Sequence, residues 1–330
     1  ASDALQQNTT SAAFRSQLEL LVGAGILPAG TDFGRVTTDG NLVVLVPCAD
    51  LAGCVDVTAS EDLRGTTFSN ERRIRNPNGL DSPYALQGSL GLQWQFSAGW
   101  RAGADLIATE GRRLLRLRDL NAPAPFTPNL ANLTPANIAT LRALPSDAAR
   151  VTLAQSLGLV RSQAAADATR PVAAVAGGAR QIVMTETAGE SRYRALNLSL
   201  ERERAALGAA GFEYGLRLSY TLSRLDNDTD DLNFRASNSN EFAAEWGPSI
   251  NDRRHVLSTV FFLHPTPSLT VTLAGLFQSG QPINLIPDTS IFGTTDLNGD
   301  GASFSSAYLG NSDRAPGVAR NSGRLPWSKV

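Results

Sequence analysis

Lysine is almost missing from this sequence: Lys329 is the only one, and the other cations are arginine. Methionine occurs once (Met184), histidine twice (His255 and His264) and cysteine twice (Cys48 and Cys54). The two histidines bracket one predicted strand with no cysteine or HExxH partner, so a zinc site has no ligand set. No GxSxG elbow, phosphate-binding loop or dinucleotide fingerprint is present; Gly23-Ala24-Gly25 sits at a helix end and lacks the third glycine. The chain is therefore read as non-enzymatic. No stretch approaches the ~20 apolar residues of a membrane-spanning helix, and a run such as Leu42 to Val46 is strand-sized. A formal net charge of −2 leaves no electrostatic footprint for nucleic acid.

What is present is a 330-residue chain, 42% apolar, with a slightly negative mean hydropathy. Such a chain can bury one large β domain or two smaller ones. It begins at Ala1 with no basic-then-apolar leader, so we expect a signal peptide already removed or a longer product. Cys48 and Cys54 lie in PCADLAGC, beside a proline and a glycine. Two cysteines closing a small loop suit a disulfide in an oxidising periplasm, with a pair of free thiols as the alternative.

Phe14, Leu18, Leu21 and Val22 are spaced for a short amphipathic helix within 11–27. From Tyr84 the period becomes two: Leu86, Leu90, Leu92, Trp94 and Phe96 alternate with Gln87, Ser89, Gly91, Gln93 and Gln95. A turn at Ser97 to Gly99 joins this run to a second one, Trp100 to Ala108, giving a hairpin. Another turn is expected at Glu110-Gly111. The Pro-rich stretch 121–180 breaks the pattern and offers two helix starts, at Thr134-Pro135 and Ser146-Asp147. Alternation returns from Tyr193 to Glu201, from Phe212 to Ser223, and in 255–263 and 268–278.

The expected fold is mainly β: antiparallel hairpins or a meander with a partly helical insert, short turns on one side and long loops on the other. Its regions are 1–83 with a short helix and a strand, the hairpin 84–120, the insert 121–180, the antiparallel region 181–278 and a Gly/Asn/Asp-rich tail, 279–330. A soluble sandwich is the runner-up.

Six stretches follow in order: NPNGLDSPYALQGSLGLQWQF (Asn76 to Phe96), GRRLLRLRDLNAP (Gly111 to Pro123), SRYRALNLSLERE (Ser191 to Glu203), FEYGLRLSYTLSRLDND (Phe212 to Asp228), NDRRHVLSTVFF (Asn251 to Phe262), and FQSGQPINLIP on through DLNGDG to NSDRAP (Phe277 to Pro316). Together they resemble the barrel of the Oar-like TonB-dependent outer-membrane receptors. The resemblance implies a bacterial outer-membrane or periplasmic location after signal-peptide removal. Such receptors resemble each other in having a plug domain, a TonB-contacting segment and about 22 strands. This sequence departs from that pattern: it offers about nine or ten strands, nothing resembling a plug or TonB box and none of the family's C-terminal strands, so a partial or open sheet is expected here.

Two acidic clusters are candidate cation sites. Asp296, Asn298 and Asp300, with Gly299 and Gly301, match the start of a calcium loop, although Ala307 stands where a bidentate glutamate would close it. Asp226, Asp228, Asp230 and Asp231 form the weaker candidate, since carboxylates so dense repel one another. For each the plain alternative is a solvated Asx-rich turn or loop. Calcium is the only cofactor these residues suggest.

The expected function is a non-enzymatic, receptor-derived structural subunit that scaffolds a larger membrane-associated assembly. Its partners would be protein subunits, with membrane-surface or outer-membrane contact and no nucleic acid. The alternatives are a fragment of an outer-membrane TonB-dependent transporter or receptor, and a soluble glycan- or peptide-binding β protein.

Overall fold

The computed structural model describes residues 12–31, 71–74, 76–175, 178–207, 211–230, 235–266, 268–301 and 313–329. Leu42 to Val46, Cys48, Cys54, Asp231 and Ala307 lie outside the described residues.

Helix α1 (Ala12–Gly23) precedes a short strand, β1 (Glu71–Ile74), and then the long hairpin of β2 (Tyr84–Ser97) and β3 (Trp100–Asp119). The insert holds α2 (Pro135–Ala143), α3 (Asp147–Ser156) and α4 (Gln163–Asp167). Next come β4 (Gln181–Leu207), β5 (Phe212–Asn227), β6 (Gly247–Pro248), β7 (His255–Thr266) and β8 (Leu269–Gln278). The tail adds β9 (Pro282–Ile283), α5 (Thr289–Phe292), β10 (Gly323–Arg324) and β11 (Ser328–Lys329).

Among the described residues the long strands pair in the order β2-β3-β4-β5-β7-β8, with β11 added beside β8. All of these pairings are antiparallel. β1 lies parallel to the start of β4, and β6 pairs with the end of β5. Among the described residues the sheet is an open meander, its edges β2 and β11 not pairing with each other. At 27 residues β4 far exceeds an ordinary strand of roughly five or six.

Period-two alternation produces the β2–β3 hairpin, and Gly99 at φ 75° supplies the left-handed residue of its turn. The expected turn at Glu110-Gly111 does not form; β3 runs straight through it. The register against β4 shifts between Gly111 and Leu114, where Arg113 takes φ 56°. A bulge absorbs the extra residues there, so the strand bends where the sequence suggested a reversal. In the insert the two helix starts are as read: the side chains of Thr134 and Ser146 accept from the backbone N–H of Asn137 and Ala149.

Most of the buried apolar core packs against the long-loop ends of β3 and β4 rather than along the length of the long strands. One cluster joins Phe14, Leu18 and Leu21 of α1 to Leu120, Val172, Ile182 and Met184. Gln17, buried among them, donates to the carbonyls of Ala173 and Ala179 at 2.7 and 2.8 Å and accepts from Ala179 N–H at 2.7 Å. A second cluster joins Leu141, Ala154, Leu159, Phe292 and Leu297 across the insert and tail. Both gather at the long-loop end of the sheet.

Candidate functional site

The pairing register sorts the side chains into two faces. One cross-strand row runs Leu90–Leu106–Leu196–Leu222–His255. The next runs Leu92–Ala104–Leu198–Tyr220–Leu257–Phe277, and the third Trp94–Ala102–Leu200–Leu218–Thr259–Gly275. A fourth holds Trp100, Arg202, Leu216, Phe261 and Leu273. These rows make one continuous apolar face, and it is bare: Leu90, Leu92 and Trp94 are 74%, 72% and 65% exposed. Along β5 the face runs from Tyr214 to Leu222, a rise of roughly 26 Å at ~3.3 Å per residue.

The opposite face is polar over β2 to β5 and mixed over β7 and β8. Its rows include Gln93–Gly103–Ser199–Ser219–Ser258 and Gln95–Arg101–Glu201–Arg217–Val260. Glu201 bridges Arg101 at 3.4 Å and Arg217 at 3.0 Å, and Thr221 donates to Asn197 at 2.9 Å. A groove of about 360 Å³ lies over these rows.

Aromatic and arginine side chains bound the apolar face at both ends. At the short-turn end Phe96 sits between Trp94 and Trp100, with ring centroids 5.4 and 6.2 Å away, and the Arg202 guanidinium lies 5.4 Å from the Trp100 ring and 5.9 Å from that of Tyr214. At the long-loop end Arg113 lies over Tyr84 and Arg192 over Trp246, each at 5.7 Å. There the tail folds back, stacking Trp327 on His255 at 5.6 Å; His255 Nδ1 also meets the Tyr220 hydroxyl at 2.7 Å.

The long connections form a polar cap. Arg116 pairs with Glu186 at 2.7 Å and Asp228 at 2.5 Å and lies over Phe242 at 3.8 Å. Fully buried Arg320 pairs with Asp230 and donates to Asn227 Oδ1 and the Glu245 carbonyl, each at 2.9 Å. Arg314 holds Glu245 at 2.7 Å. A cleft of about 180 Å³ opens between Phe126, Glu241, Asp313 and Val318.

The structure brings Asp296, Asn298 and Asp300 together in one tight turn. Asp296 accepts the N–H of Gly299 at 2.6 Å and of Gly301 at 3.0 Å, and Asn298 Oδ1 accepts that of Asp300 at 2.8 Å. Burial pushes the Asp296 carboxyl above its ordinary value. Asp226, Asp228 and Asp230 each have an arginine: Arg224 at 2.6 Å, Arg116 and Arg320. Burial nevertheless raises Asp228. Among the described residues no group of three or more histidine, cysteine, aspartate or glutamate side chains is arranged to hold a metal ion. Sequence reasoning missed Asp313, which accepts the N–H of Leu297 and Asn298; its one signal was its place in NSDRAP. Glu245 and Arg320, buried partners in the cap, left no signal.

A family model described as an outer membrane beta barrel domain matches residues 27–267. Among solved structures, the outer membrane transporter YddB from Escherichia coli is similar at 10% identity and a TM-score of 0.39. That likeness covers 64% of this chain and 23% of the transporter, so the chain spans about a quarter of that protein's length. No curated protein matches.

Proposed function

Because the chain belongs to the outer membrane beta barrel domain family, we propose that its meander is a sector of barrel wall in an outer-membrane receptor or transporter of the TonB-dependent, Oar-like type. The apolar face meets lipid and the polar face lines the lumen. One observation carries this reading: the apolar face is continuous across the long strands and ends in aromatic and arginine residues on both sides. Outer-membrane barrels need an outward apolar band about 25 Å tall with aromatic girdles, short turns on the periplasmic side and long loops outside. Among the described residues no helix is long and apolar enough to cross a membrane, so membrane contact falls to the strands. Ligand capture would fall to the loop cap, and no catalytic step is assigned.

Single cysteines test the reading. Leu198→Cys should react with a lipid-phase maleimide and resist an impermeant one in reconstituted vesicles, and Ser199→Cys should do the reverse. Equal labelling of both by the impermeant reagent would defeat it. The scaffold alternative draws on the sheet edges at β2 and β11, which pair with no further strand among the described residues. It would be favoured if the native protein purified within a multi-subunit complex.

A further inference from the structure

We infer that the long-loop margin of the apolar face seats a membrane lipid whose headgroup carries phosphate, held by Arg194, Arg224 and Arg254 above a floor of leucines. The inference rests on the barrel-wall reading and specifies what this margin meets.

A groove of about 630 Å³ is lined by Leu90, Leu106, Leu196 and Leu222 on one side and by Arg194, Arg224 and Arg254 on the other. The register explains the shape. Beyond the row Leu90–Leu106–Leu196–Leu222 comes the row Gly88–Ala108–Arg194–Arg224. Gly88 and Ala108 have almost no side chain, so the surface stays open beside the guanidinium groups.

The charge there is only partly offset inside the protein. All three arginines are exposed. Arg224 pairs with Asp226 at 2.6 Å, but among the described residues neither Arg194 nor Arg254 has a carboxylate within ion-pair distance. One row further out Glu110 pairs with Arg192 at 3.6 Å and Arg112 at 2.8 Å, and its charge also reaches Arg194. The positive charge beside the leucines is thus only partly offset.

Position and chemistry together select the ligand. A guanidinium presents a planar fork of donors matched to phosphate oxygens and stays charged at every relevant pH. At the edge of a hydrocarbon layer the local dielectric is low, which strengthens such a contact. Acyl chains would lie on the leucine floor while the phosphate met the arginines. A soluble anion would use only the second half of this surface.

The test uses the full chain reconstituted in phosphatidylcholine vesicles containing either phosphorylated lipid A or its dephosphorylated form. Lipid retained after detergent extraction is counted by native mass spectrometry. Retention should favour the phosphorylated lipid, and Arg194→Gln/Arg254→Gln, which keeps the Arg224–Asp226 pair, should weaken it at least ~10-fold. Equal retention of the two lipids, or unchanged retention by the double variant, would overturn the inference while co-flotation with vesicles left the barrel-wall reading intact. Failure to co-float at all would defeat both. Displacement of the lipid by inorganic phosphate alone would show an anion site, and would also overturn it.

Discussion

Asp313 Oδ2 accepts the backbone N–H of Asn298 at 2.7 Å, tying the segment after 312 to the Asp296–Gly301 turn. The same oxygen takes the Leu297 N–H at 2.6 Å, and Oδ1 takes the Asn298 side chain at 3.0 Å. Burial, and then the charges of Asp300 and Asp296, push the Asp313 carboxyl well above its usual range.

The sign of the pH dependence follows. A raised carboxyl holds its proton in the folded cap at a pH where the unfolded chain has released it, so stability falls as pH rises from the ordinary aspartate value of ~4 through the raised one. Protection factors in residues 296–301, exchange rates normalised to the intrinsic rate at each pH, should therefore be higher at pH ~5 than at pH ~8. Asp313→Asn should flatten this difference in protection, and a chelator should leave it unchanged. Lower protection at the lower pH, or a large chelator effect, would contradict this assignment and point back to a cation.

Arg116 should be costly to remove from the cap. Its side chain is 12% exposed and neutralises Glu186 and Asp228, themselves 11% and 10% exposed. Arg116→Ala would strand two carboxylates, and breaking a buried pair in this way costs about 3–5 kcal/mol. Arg118, 3.7 Å from Glu186, offers partial relief, so the lower end is expected. Chemical denaturation reports the loss, while Arg118→Ala, with its side chain 44% exposed, should change stability by under ~1 kcal/mol.

The strands that face two different surroundings were legible in the sequence, because alternation records that difference. β2, β5, β7 and β8 fall within a few residues of the runs read from period two. β4 was legible only from Tyr193, although it starts at Gln181. Its first part, with Ile182, Val183 and Met184 buried in succession, meets protein on both sides and so carries no alternation. The bulge at Arg113 was hidden for another reason: Glu110-Gly111 has turn composition, and only the partner strand decides whether the chain reverses or bends. The cap escaped almost entirely. Its ion pairs join residues as far apart as Asp230 and Arg320, and sequence spacing says nothing about such contacts.

Gly280 fixes the tail. A Cβ at this position would stand 1.6 Å from the Leu325 carbonyl oxygen, so the backbone there would have to shift. Leu325 N–H in turn donates to the Gln281 carbonyl at 2.9 Å beside the short β9–β10 pairing. Gly280→Ala should displace residues 323–329 at a cost of about 1–3 kcal/mol. Trp327 would then leave His255, so the Trp327 contribution to fluorescence, isolated by comparison with Trp327→Phe, should change. An unaltered emission would show that the tail docks without this close approach.

The two faces of the sheet make the strongest demand, because adjacent residues of one strand should respond oppositely to the same substitution. Leu198 on β4 stands between Ala104 and Tyr220 in the middle of the apolar rows. Ser199, its neighbour, stands between Gly103 and Ser219 on the polar face. In water both sites are open enough for an arginine to extend, so a soluble sheet would tolerate either change within ~0.5 kcal/mol. In a barrel wall the cases separate. Leu198→Arg places a charge near the bilayer midplane, costing about 2–4 kcal/mol, whereas Ser199→Arg meets the lumen. We expect Leu198→Arg to fail to accumulate in outer-membrane fractions while Ser199→Arg accumulates like the parent. Urea titration of the purified chain in detergent and in lipid vesicles supplies the control: the Leu198→Arg penalty should grow on moving into lipid, and the Ser199→Arg effect should not. Equal penalties in the two media would mean that the exposed leucines are covered by protein, and the sheet would have to be assigned to a scaffold.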